Sequence, residues 1–248
     1  MNENYRHRQL LDLLEEHKVL STQEIITLLD VSPATVRRDI NKLNEQGKLR
    51  KVRNGAEAIN LDFAKINKTV ITNSDEKQRI AEAASQLCKD GDSVVLTCGS
   101  TMLMLGSHLC NRHLQIITNY LPLANHLIEH NHDDLVIMGG QYNKNKEITL
   151  SLNAQNDTTY AANIMFTSGK GFTTEGLYKT DMIIANSENQ MSSKAEKYVV
   201  LLDSTKLGKR VGMLFSELNN IDILVTGLEA DPEIIKQLKA QGLEVILA

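Results

Sequence analysis

The sequence lacks long apolar runs and has few cysteines, and both shortages narrow the classes of protein that it can encode. No apolar run approaches the roughly 20 residues of a membrane helix, so we expect no membrane partner. Residues 1–17 contain no continuous apolar stretch, so we expect no secretory signal. The three cysteines, Cys88, Cys98 and Cys110, fit neither a disulfide framework nor the short CxxC spacing of a zinc site. These features predict a cytoplasmic protein without a metal or another cofactor.

Positive charge is also in short supply, but it is concentrated in one segment. The 248 residues include 27 Lys and Arg against 31 Asp and Glu, which gives a formal net charge of −4. The net charge is −3 over residues 1–32, +4 over residues 33–58 and −5 over residues 59–248. A local basic segment is what phosphate binding requires, whatever the total charge of the chain.

Residues 1–59 predict a winged helix-turn-helix domain. Leucines at helical spacing predict a first helix to about His17, and "STQE" (21–24) is a capping box that begins a short second helix. Ser32 and Pro33 predict the start of a third helix, which should run to about Gln46 with Gly47 as its left-handed cap. Two helices joined by a three-residue turn form the core of a helix-turn-helix. After them, "KLRKVRNGAEAI" predicts a β-hairpin wing that turns at Asn-Gly.

The third helix would present a polar face to DNA. Val36, Ile40 and Leu43 cluster on its other side and are expected to pack on the first two helices. Arginine can read guanine, asparagine can read adenine, and small or methyl-bearing side chains can touch the thymine methyl group. The predicted DNA contacts are Ser32, Ala34, Thr35, Arg37, Arg38, Asn41 and Lys42 on the helix, and Lys48, Arg50, Lys51 and Arg53 on the wing. The alternative is an ordinary solvated helix, and the joint occurrence of spacing, caps, polar face and basic wing favours DNA binding.

The remainder of the chain predicts a linker over residues 60–74 and an α/β domain over residues 75–248. Helical stretches separate most of its compact apolar segments, and such alternation predicts a largely parallel sheet with helices on both faces. The predicted strands are residues 93–97, 114–118, 134–138, 162–167, 198–203, 222–226 and 243–247.

Polar residues follow five of these predicted strands, where ligands bind in sheets of this kind. Helix-terminal amides, hydroxyl groups and lysines together make an anion site, most naturally for a phosphate, while amide and carboxylate side chains would address sugar hydroxyls. The predicted ligand contacts are Gly99, Ser100, Thr101, Asn119, Gly139, Gly140, Gln141, Lys170, Glu175 and Lys206. Simpler explanations exist for several of them, because the glycines also suit tight turns and Ser100 also suits a helix cap.

Other constellations give weaker indications. No GxxxxGK[ST] phosphate loop occurs. "HNHDD" (130–134) suggests a metal or nuclease site, but polar residues are common at a predicted helix end. Cys98 lies beside Gly99 without a His or Asp neighbour in sequence, so a small residue at a strand end is a better interpretation than a nucleophile.

The run "VSPATVRRDINKLNEQGKLRKVRNGA" resembles the DNA-binding head of the DeoR family of bacterial repressors. Downstream, "CGST", "ITNYLPLAN", "MGGQYN", "FTSGKGF" and "LLDSTK" fall where that family's sensor domain has its loops. The resemblance implies a sensor with a fold like ribose-5-phosphate isomerase, and it also places Asp203 at the rim of the ligand pocket. Two positions depart from the family pattern, with Thr97 where an Asp is usual and Asn54-Gly55 where the wing usually has Gly-Gly.

The resemblance implies a homo-oligomeric repressor, a dimer or tetramer, that binds double-stranded operator DNA. A phosphorylated effector would release it, and the similarity of "QIITNYLPLANHLI" and "TSGKGFTTEGLYKTDM" to sugar-acid regulators of the family implies a phosphorylated sugar acid. Two alternatives stay open. One is a sugar-phosphate isomerase with a DNA-binding head, for which Glu175 with Lys170 is the best acid–base pair. The other is a non-specific architectural DNA binder, which the net charge of −5 beyond residue 58 disfavours.

Overall fold

The computed structural model describes residues 3–17, 19–45, 48–58, 71–151, 161–192 and 195–248. The chain divides into two compact units, residues 1–62 and residues 63–248, which we name the head and the body. The boundary that the sequence predicts, with a linker over residues 60–74, falls largely outside the described residues and stays a prediction.

The head contains the three predicted helices and the predicted hairpin. Its elements are α1 (Glu3–His17), β1 (Val19–Ser21), α2 (Thr22–Leu29), α3 (Pro33–Glu45), β2 (Leu49–Val52) and β3 (Gly55–Ala58). The capping box is confirmed, because the Ser21 hydroxyl accepts from the Glu24 amide at 3.2 Å and the Glu24 carboxylate accepts from the Ser21 amide at 2.7 Å. The predicted cap at Gly47 lies outside the described residues.

The hairpin turns one residue earlier than the sequence predicts. Val52 pairs with Gly55, so the two-residue loop is Arg53–Asn54, and Asn54 takes the positive φ of 65° that asparagine tolerates. Gly55 instead pairs with Ser21 of β1, and a Cβ atom there would lie 2.2 Å from the Leu20 carbonyl oxygen. Glycine is therefore needed for the close approach of β1, which the sequence analysis did not predict as a strand.

The core of the head lies between the helices and this three-stranded sheet, whose order is β1-β3-β2. The predicted inward residues Val36, Ile40 and Leu43 are buried in it, together with leucines of α1 and Ile25 of α2. Burial of one face of α3 leaves its opposite face for solvent or a partner.

The body is built on a seven-stranded sheet. Its helices are α4 (Ser74–Ser85), α5 (Ser100–Leu109), α6 (Leu121–Glu129), α7 (Met182–Ser192) and α8 (Pro232–Ala240). Its strands are β4 (Ser93–Leu96), β5 (Gln115–Thr118), β6 (Leu135–Ile137), β7 (Gln141–Asn143), β8 (Ile148–Leu150), β9 (Ala162–Thr167), β10 (Gly171–Thr173), β11 (Gly176–Lys179), β12 (Ala195–Leu202), β13 (Met213–Glu217), β14 (Ile223–Thr226) and β15 (Glu244–Leu247). Short 3-10 segments occupy Ser204–Lys206 and Leu218–Asn220.

The seven predicted strands all lie in this sheet, in the order β15-β14-β12-β9-β4-β5-β6. All six neighbouring pairs are parallel, so the fold class that the sequence predicts is confirmed. Alternate residues of the strands enter two separate cores, with Val94 and Leu96 on one face and Val95 on the other. Burial of both faces explains why these strands are nearly continuous apolar runs in the sequence.

Two small antiparallel sheets lie outside the large one, a β7–β8 hairpin and a β10-β11-β13 sheet. Both are inserted in connections that follow the carboxyl ends of large-sheet strands. In the part of the chain that the structure describes, no helix has both the length and the apolar character needed to cross a membrane.

Candidate nucleic-acid interface and anion-binding cavity

The outward face of α3 carries the residues that the sequence predicts for DNA contact. Arg37, Arg38, Asn41 and Lys42 are exposed, and so is Ala34. The Ser32 hydroxyl accepts from the Thr35 amide at 3.3 Å and lies 2.8 Å from the Thr35 hydroxyl, so these two side chains hold the start of α3.

The wing is hydrogen-bonded to α3. Lys51 donates through its Nζ to Asn41 Oδ1 at 2.8 Å and through its backbone amide to Asn44 Oδ1 at 2.7 Å. Arg50 pairs with Glu57 on the neighbouring strand at 2.5 Å, whereas Lys48 and Arg53 are exposed on the wing. A groove of about 590 Å³ runs between α2, α3 and the wing, lined among others by Arg37, Asn41, Lys51 and Asn54.

A buried carboxylate, which was not among the predicted contacts, ties α3 to α1. Asp39 accepts from Arg6 Nε at 2.5 Å and Nη2 at 2.9 Å, and it lies 3.0 Å from His7 Nε2. Burial alone would raise the pKa of Asp39, but the hydrogen bonds and charges of Arg6 and His7 hold that pKa below its usual range. Asp39 is therefore an ionised anchor on the inner side of the recognition helix.

The body has a cavity of about 410 Å³ at the carboxyl edge of its parallel sheet. The start of α5 forms one wall, with Gly99, Ser100 and Thr101 among the lining residues. No side chain caps this helix, and Gly99 has a φ of 124° with open space where a Cβ atom would lie. Uncapped amides at a helix N-terminus attract anions, so this wall suits a phosphate group.

Besides Lys179, which is paired with Glu188, three lysines line the same cavity and supply positive charge. Lys206 and Lys170 are the predicted ones, and Lys77 comes from the first turn of α4. Lys206 lies 3.1 Å from the buried carboxylate of Asp203, which is also 3.9 Å from Lys77. Burial lowers the pKa of Lys77, and the positive charge of Lys206 lowers it further. The Asp203 carboxylate balances part of the charge of these two ammonium groups, and Lys170 adds a further cation to the lining.

A second, buried polar cluster lines the cavity and was missed by the sequence analysis. Lys179 donates to Glu188 Oε2 at 2.5 Å and to the Thr167 hydroxyl at 2.9 Å, and Thr167 donates to the same Glu188 oxygen at 2.5 Å. Thr97 adjoins the cluster, with its hydroxyl 3.4 Å from that of Thr167. Because these residues lie on β11, α7 and β9, only the folded chain brings them together.

Several predicted ligand contacts do not line this cavity. Asn119 donates to the Thr149 carbonyl at 3.0 Å and to the Ser187 hydroxyl at 2.8 Å, so it fastens α7 and β8 to the sheet. Gly140 has a φ of 140° and closely approaches the Leu150 carbonyl, so glycine has a structural role at this position. Its neighbours Gly139 and Gln141 are exposed. Glu175 pairs with Arg210 at 2.5 Å and accepts from the Tyr178 hydroxyl. Their assignment to the effector stays a prediction.

The metal and nucleophile alternatives find no support among the residues that the structure describes. No group of three or more His, Cys, Asp or Glu residues in those ranges is arranged to hold a metal ion. His132 of "HNHDD" accepts from the Asn111 amide at 3.1 Å and lies 3.1 Å from the Leu114 carbonyl oxygen, so it joins loops. Burial, followed by the charge of Glu188, raises the pKa of the Cys98 thiol to about 12. A thiol with that pKa is a poor nucleophile near neutral pH.

Comparisons with known proteins agree with this division into two units. Residues 6–61 match the DeoR-like helix-turn-helix domain, and residues 72–228 match the DeoR C terminal sensor domain. The HTH-type transcriptional regulators UlaR of Shigella sonnei (strain Ss046) and of Escherichia coli (strain K12 / DH10B) are each 53% identical to this chain over 249 residues. The match covers 99% of this chain and 99% of each relative.

Among solved structures, ribose 5-phosphate isomerase A of Methanocaldococcus jannaschii matches with a TM-score of 0.42 and 22% identity, over 56% of this chain and 57% of that one. The enzyme of Neisseria gonorrhoeae matches with a TM-score of 0.42 and 18% identity, over 58% of both chains. Similarity at this level does not bear on function.

Proposed function

Because the chain belongs to the DeoR family of transcriptional regulators, we propose that it is a repressor that a phosphorylated sugar acid releases from operator DNA. The operon would be one for L-ascorbate utilisation, with L-ascorbate 6-phosphate as the effector. The support for this choice is sequence similarity, chiefly in "RRDINKLNEQGKLRKVRNGAEAI", "QIITNYLPLANHLI" and "TSGKGFTTEGLYKTDM", to the L-ascorbate-utilisation repressor.

The observation that carries the proposal is the joint placement of an uncapped helix start and three lysines around one cavity. The amides that follow Gly99 supply partial positive charge, and Lys77, Lys170 and Lys206 supply full charges. A phosphate monoester is a compact dianion that accepts several charge-assisted hydrogen bonds, so it matches this lining. A cavity of about 410 Å³ also has room for a small sugar acid attached to the phosphate.

The proposed mechanism requires that the effector bind one state of the protein better than another. A homo-oligomer, either a dimer or a tetramer, would place two heads at half-sites one or more helical turns of DNA apart, with Arg38 and Asn41 directed at base edges. An effector that prefers the state with misplaced heads shifts the population away from the operator. By linkage, operator DNA weakens effector binding by the same factor.

A DNA-shift titration on the upstream region of the regulated operon, with and without L-ascorbate 6-phosphate, tests the proposal. We expect salt-dependent, site-selective binding that the effector reverses. Lys206→Ala should require at least ten times more effector while binding operator normally, because Lys206 lies in the body, and Lys236→Ala on the exposed face of α8 is the matched control. Unchanged operator affinity at saturating effector would refute release by this ligand.

Binding and turnover assays on the same protein preparation distinguish two rival functions from the proposed one. An architectural DNA binder would show neither site preference nor an effector response. An isomerase would convert sugar phosphates during incubation, but its best predicted acid–base pair is not assembled, because Glu175 is held by Arg210 and does not line the cavity next to Lys170. The similar proteins named above also carry the names of transcriptional regulators.

A further inference from the structure

One buried acceptor in the body cavity has no partner. The Glu188 side chain is 3% exposed and lines the cavity, and its Oε2 atom accepts from both Lys179 and Thr167. Its other oxygen, Oε1, is buried and has no hydrogen-bond partner within the described ranges. Buried carboxylate oxygens are normally paired, since leaving one without a donor costs free energy.

The charge of Glu188 is already balanced, so what the carboxylate lacks is a hydrogen-bond donor and not a cation. Lys179 gives one hydrogen bond to Glu188 and one to Thr167, and its Nζ atom lies 4.5 Å from the centre of the Phe215 ring. Lys179 thus has partners on three sides. A neutral donor such as a hydroxyl group would complete the set, whereas a second anion at Glu188 would meet an oxygen of like charge.

The cavity has two electrostatic neighbourhoods. Lys77 and Lys206 lie 3.9 and 3.1 Å from the shared carboxylate of Asp203, and with Lys170 they form the cationic part. Glu188 and Lys179 pair with each other and form the second part. Phosphate binding at the cationic part would leave the rest of the ligand to meet the Glu188 part.

We propose that Glu188 selects effectors by accepting, at Oε1, a hydrogen bond from a neutral hydroxyl group of a phosphate monoester held by the cavity lysines. A small rotation about the last side-chain torsion, whose angle varies widely in glutamate, turns Oε1 toward the cavity. The ligand class is a hydroxylated phosphate monoester whose acidic group points away from Glu188. This inference rests on the proposed function, because it assumes that the cavity is the effector site.

Calorimetric titration of the full-length protein with L-ascorbate 6-phosphate and with inorganic phosphate tests the role of Glu188. In Glu188→Ala, the affinity for the sugar-acid phosphate should fall by about 10- to 100-fold relative to the affinity for inorganic phosphate. Glu188→Gln keeps an acceptor oxygen and should recover part of that ratio. Glu129→Gln, at an exposed position of α6, should leave the ratio unchanged. Tyr198→Phe should leave it unchanged as well, although it removes a buried hydroxyl group near Glu188 for which the described residues provide no hydrogen-bond partner. A ratio that stays within twofold of wild type in Glu188→Ala would overturn the proposal.

A second titration keeps the protein unaltered and so does not depend on the folding of a variant. Glycerol 3-phosphate and propyl phosphate are both phosphate monoesters on a three-carbon chain and differ in their hydroxyl groups. Wild-type protein should bind glycerol 3-phosphate at least tenfold more tightly, and equal affinities would contradict the proposal. If the effector releases the protein from operator DNA but Glu188→Ala leaves the ratio of the two affinities unchanged, only this inference is refuted. If Glu188→Ala changes that ratio as expected but the ligand does not release the protein from operator DNA, only the proposed function is refuted.

Discussion

A carboxylate on the inner side of the recognition helix holds that helix in place. Asp39 is buried beneath the exposed row of Arg37, Arg38 and Asn41, and its partners Arg6 and His7 come from α1. In the proposed complex with DNA, the angle of α3 would therefore depend on an ion pair on its far side. Such a pair specifies geometry, and removing Asp39 takes away the ion pair that compensates for the partial burial of the Arg6 guanidinium group.

Asp39→Ala should destabilise the head by about 2–4 kcal/mol, because Arg6 loses both of its hydrogen bonds to the carboxylate. Operator affinity should fall with it, although Asp39 is not predicted to contact DNA. Urea denaturation followed by circular dichroism measures the stability. Asp12→Ala on the exposed side of α1 is the control, and equal stability of the two variants would disprove the anchoring role.

The buried imidazole of His126 makes the body sensitive to acid. Its Nε2 atom lies 2.9 Å from the Ser107 hydroxyl, and burial, with a contribution from His130, lowers its pKa to about 4. Below about pH 6.5 the His126 imidazole binds a proton in the unfolded chain but stays neutral in the folded chain. The free energy of unfolding therefore falls as the pH drops from about 6.5 toward about 4. We expect a loss of about 3 kcal/mol at most over that window. Denaturation at pH 7.5 and pH 5 should show it, and His126→Gln should reduce it while the exposed His113→Gln retains it in full. A part should persist in His126→Gln, because burial also lowers the pKa of His108 and His132.

The placement of single residues was predictable where the strand direction determines it. Gly99, Ser100, Thr101, Lys170 and Lys206 follow strand ends, and the ends of parallel strands share one edge, so the cavity could be assembled from the sequence. Lys77 precedes the first strand of the sheet, and Lys179 and Glu188 belong to elements whose placement depends on packing between distant segments. No local pattern identifies those three residues.

At the scale of elements, the wing of the head depends on one close contact between strands. Gly55 lies in β3 between β1 and β2, and β1 passes so near that any side chain at this position would strike the Leu20 backbone. The wing reaches α3 through Lys51, so a shift of β3 would also disturb the hydrogen bond to Asn41.

Gly55→Ala should therefore cost several kcal/mol, about 2–4, and reduce operator affinity by displacing the wing. Gly139→Ala is a matched control, because a Cβ atom at that position meets open space. Thermal unfolding and DNA-shift titration of the two variants provide the comparison. A Gly55→Ala protein that unfolds and binds like wild type would show that β1 adapts.

The large elements were more predictable than the small ones. Seven apolar runs became the seven strands of the large sheet, because two-sided burial leaves a continuous apolar signal. Strands β7, β8 and β10 have three residues each and mixed polarity, which gives no period to detect. Their positions depend on connections between strands of the large sheet, and so on the remainder of the body.

At the scale of the whole molecule, the acidic total conceals one segment of net positive charge, residues 33–58. Operator binding should weaken steeply as salt is added, because cations on α3 and the wing displace counterions from DNA. Lys48→Ala and Arg53→Ala should each reduce the slope of log K against log salt by about one. Arg50→Ala should reduce it less, because Glu57 already neutralises that guanidinium group. Equal slopes for wild type and all three variants would exclude the wing from the DNA contact.

The strand order of the large sheet also determines when each unit can fold during synthesis. Val94 pairs with Ile164, and β9 pairs in turn with β12, so the centre of the sheet cannot close until the ribosome has passed residue 202. The head takes its hydrophobic core from residues between Leu10 and Ala56 and is complete far earlier. Domains generally fold as units, the N-terminal one first. A translation product that stops before residue 202 would therefore carry a complete head on a body whose sheet cannot close.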